Sequence, residues 1–509
     1  MSDAFARVPA LAAQHLLLAM AALALALAVG VPVAIRAARA PRLAAWVLGA
    51  ASLVQTIPSL ALLALFYPAL LWLSALVGGG VPALGFLPAL LALTLYALLP
   101  IVRNIVTGLR GLDAAVLEAA DGIGMTGAQK LRLVELPLVL PVAMAGIRTA
   151  AVWTIGAATL STTVGQPSLG DLIFAGLQTQ AWTLVIAGCV GAAGLALGVD
   201  ALLGMAERDA GRRRWARVWL ALGTLAAVTV VASAPMWPGI GDDRRVVVGA
   251  KNFSEQYILA RLIGARLERA GYSVRYRDGL GSAVAFGAVA GGEVDVYVDY
   301  AGTIWTAEMH RTDTPPRGEQ LRAIADWVRT SRGVGMIGAL GFENAYVFAM
   351  RGVDAKARGI ATLDDLAGVA PALRFGADLE FLDRPEWQAV RRAYPLRFAA
   401  ATPYSPTFMY RALESGRADV ISAFSSDGRI AADKLAVLDD VKGAIPGYDA
   451  IMLVSPAHRD DPRFAAALRP LIGRIPVTAM REANYLVDRD RDKRTPEAAA
   501  RWLAARIAR

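Results

Sequence analysis

Hydrophobic and polar positions follow two different patterns along this chain of 509 residues. From Leu11 to about Trp237, Ala, Leu, Val and Gly form long apolar runs separated by short clusters of charge. From Arg244 onward, charges occur throughout and apolar residues come in strand-length groups. A helix needs roughly 20 apolar residues to cross the hydrocarbon of a bilayer. Stretches of that kind lie at 15–35, 43–72, 86–108, 139–164, 181–205 and 218–236. The second is too long for one straight rod and is interrupted at Pro58, so it reads as a broken or re-entrant helix. The pattern therefore predicts a membrane half followed by a water-soluble half.

In the soluble half, VVVGAKNFSEQYILARLIGARLERAGYSV reads as strand, loop, amphipathic helix and strand. VDVYVDYAGT, AYVFAM, LRFGAD, ADVISAFSSDGRI and AIMLVSP are further strand-like runs with helical stretches between them. Strands alternating with helices imply α/β layers. The length from 244 to 509 exceeds one small doubly wound unit and suits two lobes.

Charge then orients the spans. Arg36, Arg39 and Arg42 fall in the first short loop, and Arg103, Arg110, Lys130 and Arg132 in or beside the second. Arg208, Arg212, Arg213, Arg214 and Arg217 fill the third. The alternate loops, 73–85 and 165–180, hold one charge, Asp171. Basic loops face the cytoplasm, which leaves the N-terminus and the soluble half outside. Those arginines also account for much of the net charge of +9 and the isoelectric point near 9.8. No nucleic-acid partner is needed, because acidic and basic residues are interspersed in the soluble half rather than gathered in a basic stripe. Cys189 is the single cysteine, which excludes an intrachain disulfide and a cysteine-rich metal site. His15, His310 and His458 are too scattered to suggest a site. The first apolar run lacks a small-residue cleavage pattern and reads as a retained span.

The interruption Glu118 to Pro137, EAADGIGMTGAQKLRLVELP, carries Glu118, Asp121, Lys130, Arg132 and Glu135 and cannot lie in lipid. Glu118-Ala119-Ala120 continues a helix; Gly122 and Gly124 weaken it and permit a change of direction. Gln129 to Glu135 predicts a short amphipathic helix with Leu131 and Val134 on one face, stopped by Pro137 before the next span. The plain alternative is an ordinary charged loop. The combined placement of Glu118-Ala119-Ala120, Gly124 and Leu136-Pro137 resembles the cytoplasmic coupling loop of binding-protein-dependent ABC importer permeases. That resemblance implies docking on an ATPase subunit.

VQTIPSLALLALF, LYALLPIVRNIVTGL and AGIRTAAVWTIGAATL, within residues 43–165, resemble permeases of importers for glycine betaine, choline and related compatible solutes. Gln55, Thr56, Asn104, Arg148 and Thr154 are polar groups in or beside spans. They face a protein interior or watery path, or serve helix–helix hydrogen bonding. No GxxxxGK[ST] loop for phosphate occurs in the chain. The ATPase is therefore expected on a separate polypeptide, and the resemblance implies two copies of the permease against two ATPase subunits.

KNFSEQ, YVDYAGT, GFENAYVFAM, FMYRAL and AFSSDGRI in the soluble half resemble the substrate-binding proteins of the same importers. The resemblance implies a two-lobed clamshell that holds a quaternary ammonium group in a cage of aromatic rings. Matched motif by motif, the cage positions are Tyr300, Tyr346, Tyr410 and Phe424, with polar ligand contacts from Gln256 and Thr303. Phe424 stands where tyrosine is commoner; it keeps a ring face and loses a hydroxyl. The chemistry suits such a ligand. A trimethylammonium group has no N–H donors, and each well-placed ring attracts it by about 0.5–2 kcal/mol. The alternative for each ring is a core residue at a strand end.

These readings combine into one architecture. An all-α transmembrane permease domain is expected over 1–206, with the coupling loop at 118–137. A basic linker, an extra transmembrane helix and a short external linker follow over 207–243. An α/β two-lobed periplasmic-binding-protein domain of the type II clamshell class is expected over 244–509, with lobe one at about 244–345 and 449–509 and lobe two at about 346–448. The expected function is ATP-driven import of glycine betaine- or choline-type osmoprotectants across a bacterial inner membrane, with the binding domain outside. The alternatives are another trimethylated or zwitterionic solute, such as ergothioneine or carnitine, and, in a different class, a ligand-gated receptor or channel. No cofactor and no metal is expected, and no nucleophile–base constellation suggests an enzyme.

Overall fold

The computed structural model describes residues 5–78, 81–178, 181–212, 214–233, 244–378, 380–404, 406–489 and 491–507. The linker expected at 237–243 and the last three residues of the sixth expected span lie outside them. The chain divides into a mainly N-terminal helical unit and a C-terminal α/β unit.

The helical unit contains α1 (Val8–Arg39), α2 (Pro41–Thr56), α3 (Ser59–Leu76), α4 (Phe86–Arg110), α5 (Ala114–Gly122), α6 (Leu136–Ala158), α7 (Trp182–Gly211) and α8 (Trp215–Ser233). Among the described residues, five helical segments are long and apolar enough to cross a membrane, or six if the bent pair α2 and α3 counts as one. That pair turns by 101° at the break expected around Pro58.

Two prolines explain the polar groups at the break. Pro100 has no N–H for the carbonyl of Tyr96, one turn earlier in α4; Gln55 Nε2 donates to that oxygen at 3.2 Å. The Tyr96 hydroxyl in turn donates to the carbonyl of Ile57, freed where α2 ends before Pro58. Gln55 thus serves helix–helix hydrogen bonding. α4 and α6 cross closely at Gly146, where a Cβ would stand 2.6 Å from the Pro100 oxygen and 2.7 Å from the Asn104 Cβ. Small residues at such crossings let membrane helices pack by van der Waals contact. His15 is fully buried, with Nε2 2.8 Å from the Ile155 carbonyl.

The segment before α6 differs from expectation. Pro137 does not stop a helix: one α-turn (Gly127–Lys130) runs through a π-turn (Leu131–Glu135) directly into α6, and Pro137 is the second residue of that helix. In the π-turn the Leu136 N–H bonds to the Leu131 carbonyl, so the hydrogen-bond ladder has already slipped by one residue. The proline then falls where a missing N–H is tolerated, as in a first turn.

The α/β unit holds two five-stranded sheets. β1 (Arg245–Lys251), β2 (Ser273–Leu280), β3 (Val296–Tyr300), β4 (Gly335–Glu343) and β10 (Asp449–Val454) form one, in the order β2-β1-β3-β10-β4. β5 (Tyr346–Arg351), β6 (Arg374–Asp378), β7 (Ala400–Tyr404), β8 (Val420–Phe424) and β9 (Leu435–Leu438) form the other, in the order β7-β6-β8-β5-β9. The chain thus passes between sheets twice, between Glu343 and Tyr346 and between Leu438 and Asp449. Among the flanking helices are α9 (Ser254–Arg269), α10 (Pro406–Glu414) and α11 (Val477–Asp488). Parallel pairing of β1 with β2 and β3, and of β6 with β7 and β8, gathers the ends of those strands at the gap between the lobes. Loops beyond such carboxyl ends are where open α/β sheets bind ligands.

Candidate functional site in the cleft between the lobes

Strand ends place most of the site. β3 ends at Tyr300, β1 leads through Lys251 to Phe253, β6 leads to Phe381 and Arg384, and β8 ends at Phe424. β5 runs antiparallel to β8 in a register that sets Tyr346 directly opposite Phe424. Their ring centroids are 5.0 Å apart at 42°. Phe381 tilts against Tyr346 at 4.7 Å, and Tyr448 meets it edge-on at 6.0 Å.

Tyr300 and Gln256 form a second group. The Tyr300 hydroxyl donates to Glu255 Oε1 at 2.6 Å and accepts from Gln256 Nε2 at 2.9 Å. Its ring stacks on Phe253 at 6.2 Å and has Lys251 Nζ 5.5 Å from its centroid. Glu255 is buried and also accepts from Asn344 Nδ2 at 3.2 Å and Asn484 Nδ2 at 2.9 Å. Burial pushes its carboxyl above the ordinary range, while bonds from Ser426, Tyr300 and Asn484 pull it back. Asn484, on α11, also donates to the Ser426 carbonyl at 3.0 Å and so ties the lobes together. Lys251, 2% exposed, pairs with Asp299, whose other oxygen accepts from the Tyr297 hydroxyl at 2.6 Å.

Tyr410, on α10, is buried beneath the Arg429 guanidinium, 5.2 Å from its ring centroid. Its cluster with Met409, Leu413 and Ile421 packs against Phe424. Thr303 receives a long bond, 3.4 Å, from Arg384 Nη2. Arg384 stands 5.5 Å from the Tyr346 ring and donates from Nη1 to Glu380 at 2.9 Å. Its Nε is 3.6 Å from Glu386 Oε2, beyond hydrogen-bond reach, and is buried with no acceptor. Asn344 Oδ1 and Asn484 Oδ1 are likewise buried with no donor. Unpaired buried polar atoms cost free energy, and their gathering around one cleft is what a site for a polar ligand requires.

A cavity of about 90 Å³ opens between the lobes, lined among others by Phe253, Glu255, Asn344, Phe424, Arg429 and Asp488. That lining combines aromatic rings, the carboxylates of Glu255, Asp427 and Asp488 and the Arg429 guanidinium, while Arg384 and Thr303 stand beside the Tyr346 ring. Of the residues expected from sequence, Tyr346 meets Phe424 and Gln256 meets Tyr300, while Tyr410 and Thr303 reach the cleft through Arg429 and Arg384. Sequence reading missed Phe253, Glu255, Asn344, Arg384, Tyr448 and Asn484. Phe253 and Glu255 lie inside KNFSEQ and Asn344 inside GFENAYVFAM, so those motifs held a usable signal. Arg384 and Asn484 have none; only the fold brings them in.

In the helical unit, the expected coupling residues sit on an exposed turn. Asp113 caps α5 by accepting from Ala115 N, and Glu118 and Ala119 are exposed while Ala120 is buried. Gly124 has φ +80°, a conformation that favours glycine, and turns the chain. Thr126 and Gln129 then form a reciprocal capping box. Lys130 closes the turn onto Asp121 at 2.7 Å, and Glu135, buried, pairs with Arg39 at 3.5 Å. Leu136 and Pro137 are exposed.

Two family models cover these two units. Residues 30–212 match the binding-protein-dependent transport system inner membrane component. Residues 244–505 match the substrate binding domain of ABC-type glycine betaine transport systems. The chain is a fused permease and substrate-binding protein of the glycine betaine-type ABC importer family. Over 459 residues, 87% of this importer subunit and 80% of the relative, it is 28% identical to the ergothioneine transport permease/ergothioneine binding protein EgtU of Helicobacter pylori (strain G27). Over 195 residues it is 42% identical to the choline transport system permease protein OpuBB of Bacillus subtilis (strain 168), covering 38% of this chain and 84% of that one. Over 194 residues it is 42% identical to the carnitine transport permease protein OpuCB of Listeria monocytogenes, again covering 38% of this chain and 84% of that one. The importer subunit is thus a membrane protein whose helical half belongs with permeases and whose α/β half belongs with solute-binding domains.

Proposed function

We propose that this importer subunit captures a zwitterionic trimethylammonium carboxylate, of the glycine betaine, carnitine or ergothioneine kind, in preference to choline. The observation that carries the reading is the buried Arg384, whose Nε pairs with Glu386 at 3.6 Å without a hydrogen bond, beside Thr303 and the Tyr346–Phe424 pair. A guanidinium edge takes a carboxylate by charge-assisted hydrogen bonds; choline has no carboxylate. The cavity beside Phe253 and Phe424, where Glu255, Asp427 and Asp488 outnumber Arg429, suits the cationic end. Tyr300, Tyr346, Tyr410 and Phe424 serve as the ring set, with Gln256 holding Tyr300 in place and Thr303 beside the carboxylate. Ergothioneine has added support, because EgtU likewise joins a permease and a binding protein in one chain.

In this reading the α/β unit works on the outer side of a bacterial inner membrane, closing its lobes around the solute by hinge motion. It delivers the solute to a permease formed by two copies of the chain. A separate ATPase polypeptide docks on the loop 118–137, through Glu118 and the exposed Leu136 and Pro137, and drives alternating access. A receptor or channel would have no use for that loop. The test is calorimetric titration of the full chain in detergent with glycine betaine, carnitine, ergothioneine and choline. At least one zwitterion binds at micromolar affinity and choline at least tenfold more weakly. Equal or tighter binding of choline overturns the assignment.

A further inference from the structure

Arg148, in α6, reaches across to α7 with its whole guanidinium. Nε and Nη2 donate to the two carboxylate oxygens of Asp200 at 2.8 and 2.9 Å, and Nη1 donates to Glu207 at 2.9 Å. The receiving face is shaped for it. Asp200, Gly204 and Glu207 share one side of α7 by helical spacing. A Cβ at Gly204 would stand 3.2 Å from the Arg148 Cζ and 3.3 and 3.4 Å from its terminal nitrogens. The fork therefore lies flat on bare backbone between two carboxylates. A bidentate arginine–carboxylate pair is among the strongest and most directional polar contacts, and breaking one in a membrane leaves costly unpaired charge.

α7 is the least enclosed of the five unbroken spans, with 17% of its apolar window buried. Among the described residues, Val199 and Leu203 are its members in the fully buried part of the main helical core, and the fork supplies its side-chain hydrogen bonds to α6. α6 is continuous, through the π-turn, with the segment that follows Gly124. A displacement applied at the turn thus moves α6 as a rod.

We propose that the Arg148–Asp200–Glu207 fork is the link that makes α7 follow α6 during the transport cycle, so that Arg148 is a positioning residue for solute passage. The proposal rests on the reading of 118–137 as the ATPase-docking loop. Without the fork, a push at the loop moves α6 while α7 lags, and ATP is hydrolysed without solute moving.

The test uses the full chain with its ATPase in proteoliposomes, measuring uptake of radiolabelled glycine betaine and of ergothioneine per ATP hydrolysed. The triple variant Arg148→Leu, Asp200→Asn, Glu207→Gln removes the tie and leaves no unpaired charge. It retains ATPase binding and basal hydrolysis while the ratio of solute to ATP falls at least fivefold. Arg148→Lys, which keeps the charge pair and loses the fork, gives an intermediate ratio and keeps the proposal testable if the triple variant does not assemble. The exchange Arg148→Asp with Asp200→Arg recovers at least half of the wild-type ratio. A wild-type ratio in the triple variant, or in Arg148→Lys where only that one assembles, overturns the proposal. A wild-type chain that binds no ATPase overturns the docking reading instead.

Discussion

Tyr346 and Phe424 face each other across the β5–β8 pair with ring centroids 5.0 Å apart, each at the end of its strand that faces the other lobe. Cross-strand register, rather than loop placement, fixes that pair, so its geometry survives removal of either side chain. If the two rings hold a trimethylammonium group, Tyr346→Ala and Phe424→Ala each weaken binding by about 2- to 30-fold, the range of one cation–ring contact. Phe424→Tyr raises affinity modestly by restoring negative potential at the ring face. Calorimetry on the full chain decides; unchanged affinity in both alanine variants removes the cage reading.

Variants of Arg384 test the proposed ligand class. Its hydrogen bonds to a carboxylate are of the charged kind, about 1.5–3 kcal/mol each. Arg384→Ala therefore weakens binding of a zwitterion by about tenfold or more and leaves any residual choline binding unchanged or improved. Arg384→Lys recovers only part, since a point charge cannot offer a planar edge. Equal losses for zwitterion and choline indicate instead that Arg384 merely supports the cleft, through its bond to Thr303 and its ion pairs with Glu380 and Glu386.

Much of this architecture is legible in the sequence, and the limits have physical causes. Long apolar runs report their own burial, so the spans and the break at Pro58 could be read directly; charge marked the turn at 118–137. The π-turn at Leu131–Glu135 leaves no periodic signature, because slipping the ladder by one residue changes hydrogen bonds and not composition; Pro137 therefore looked like a stop. Rings near strand ends, such as Tyr300, Tyr346 and Phe424, sit in recognisable motifs. Arg384 and Asn484 reach the cleft from distant segments, a relation that only tertiary packing creates. Gln55 and Arg148 looked alike as polar groups in spans, yet one satisfies a carbonyl freed by Pro100 and the other clamps α7.

Gly302, within YVDYAGT, lies under the ring of Tyr448, where an added Cβ would stand 2.3 Å from the ring. Tyr448 is 2% exposed and is fixed by its hydroxyl bond to Glu386, so it has little room to give way. Gly302→Ala is expected to destabilise the α/β unit by about 1–3 kcal/mol, the usual cost of overpacking a filled core. Denaturant unfolding followed by tryptophan fluorescence measures it. A variant as stable as the parent would mean that Tyr448 can shift without cost.

His458 makes stability depend on pH. Its Nε2 lies 3.4 Å from Asp295 and its ring stacks on Phe464 at 4.2 Å. The bond to Asp295 is the main cause raising its pKa above 6.5, against the opposing effect of burial, with Asp461 adding to the rise. The folded state then holds a proton that the unfolded state releases. The stabilisation is complete below about pH 6.5 and is lost as pH rises through the raised pKa. Asp488, pushed by burial from 3.8 to about 6, acts in the same direction in a lower window. In His458→Gln the decline in unfolding midpoint between about pH 6.5 and 8 flattens, while the decline below about pH 6 remains. An unaltered profile above pH 6.5 contradicts the assignment.

Glu118 offers a test in the helical unit. It is exposed on α5, in the same turn as exposed apolar side chains at Val116, Ile123 and Leu133 (38, 75 and 61% exposed). The turn is held by its own cap at Asp113, the capping box at Thr126 and the Asp121–Lys130 pair, none of which uses Glu118. Glu118→Arg therefore reverses a surface charge without disturbing the turn. If the ATPase docks there, the variant loses solute-stimulated ATP hydrolysis in proteoliposomes, while solute binding to the α/β unit keeps its calorimetric affinity. Since like charges facing each other across an interface cost several kcal/mol, association with the ATPase itself should also weaken by at least tenfold in a pull-down titration. Full stimulation by solute in this variant would place the coupling contact elsewhere on the chain, and would leave the exposed face of α5 without a role in transport.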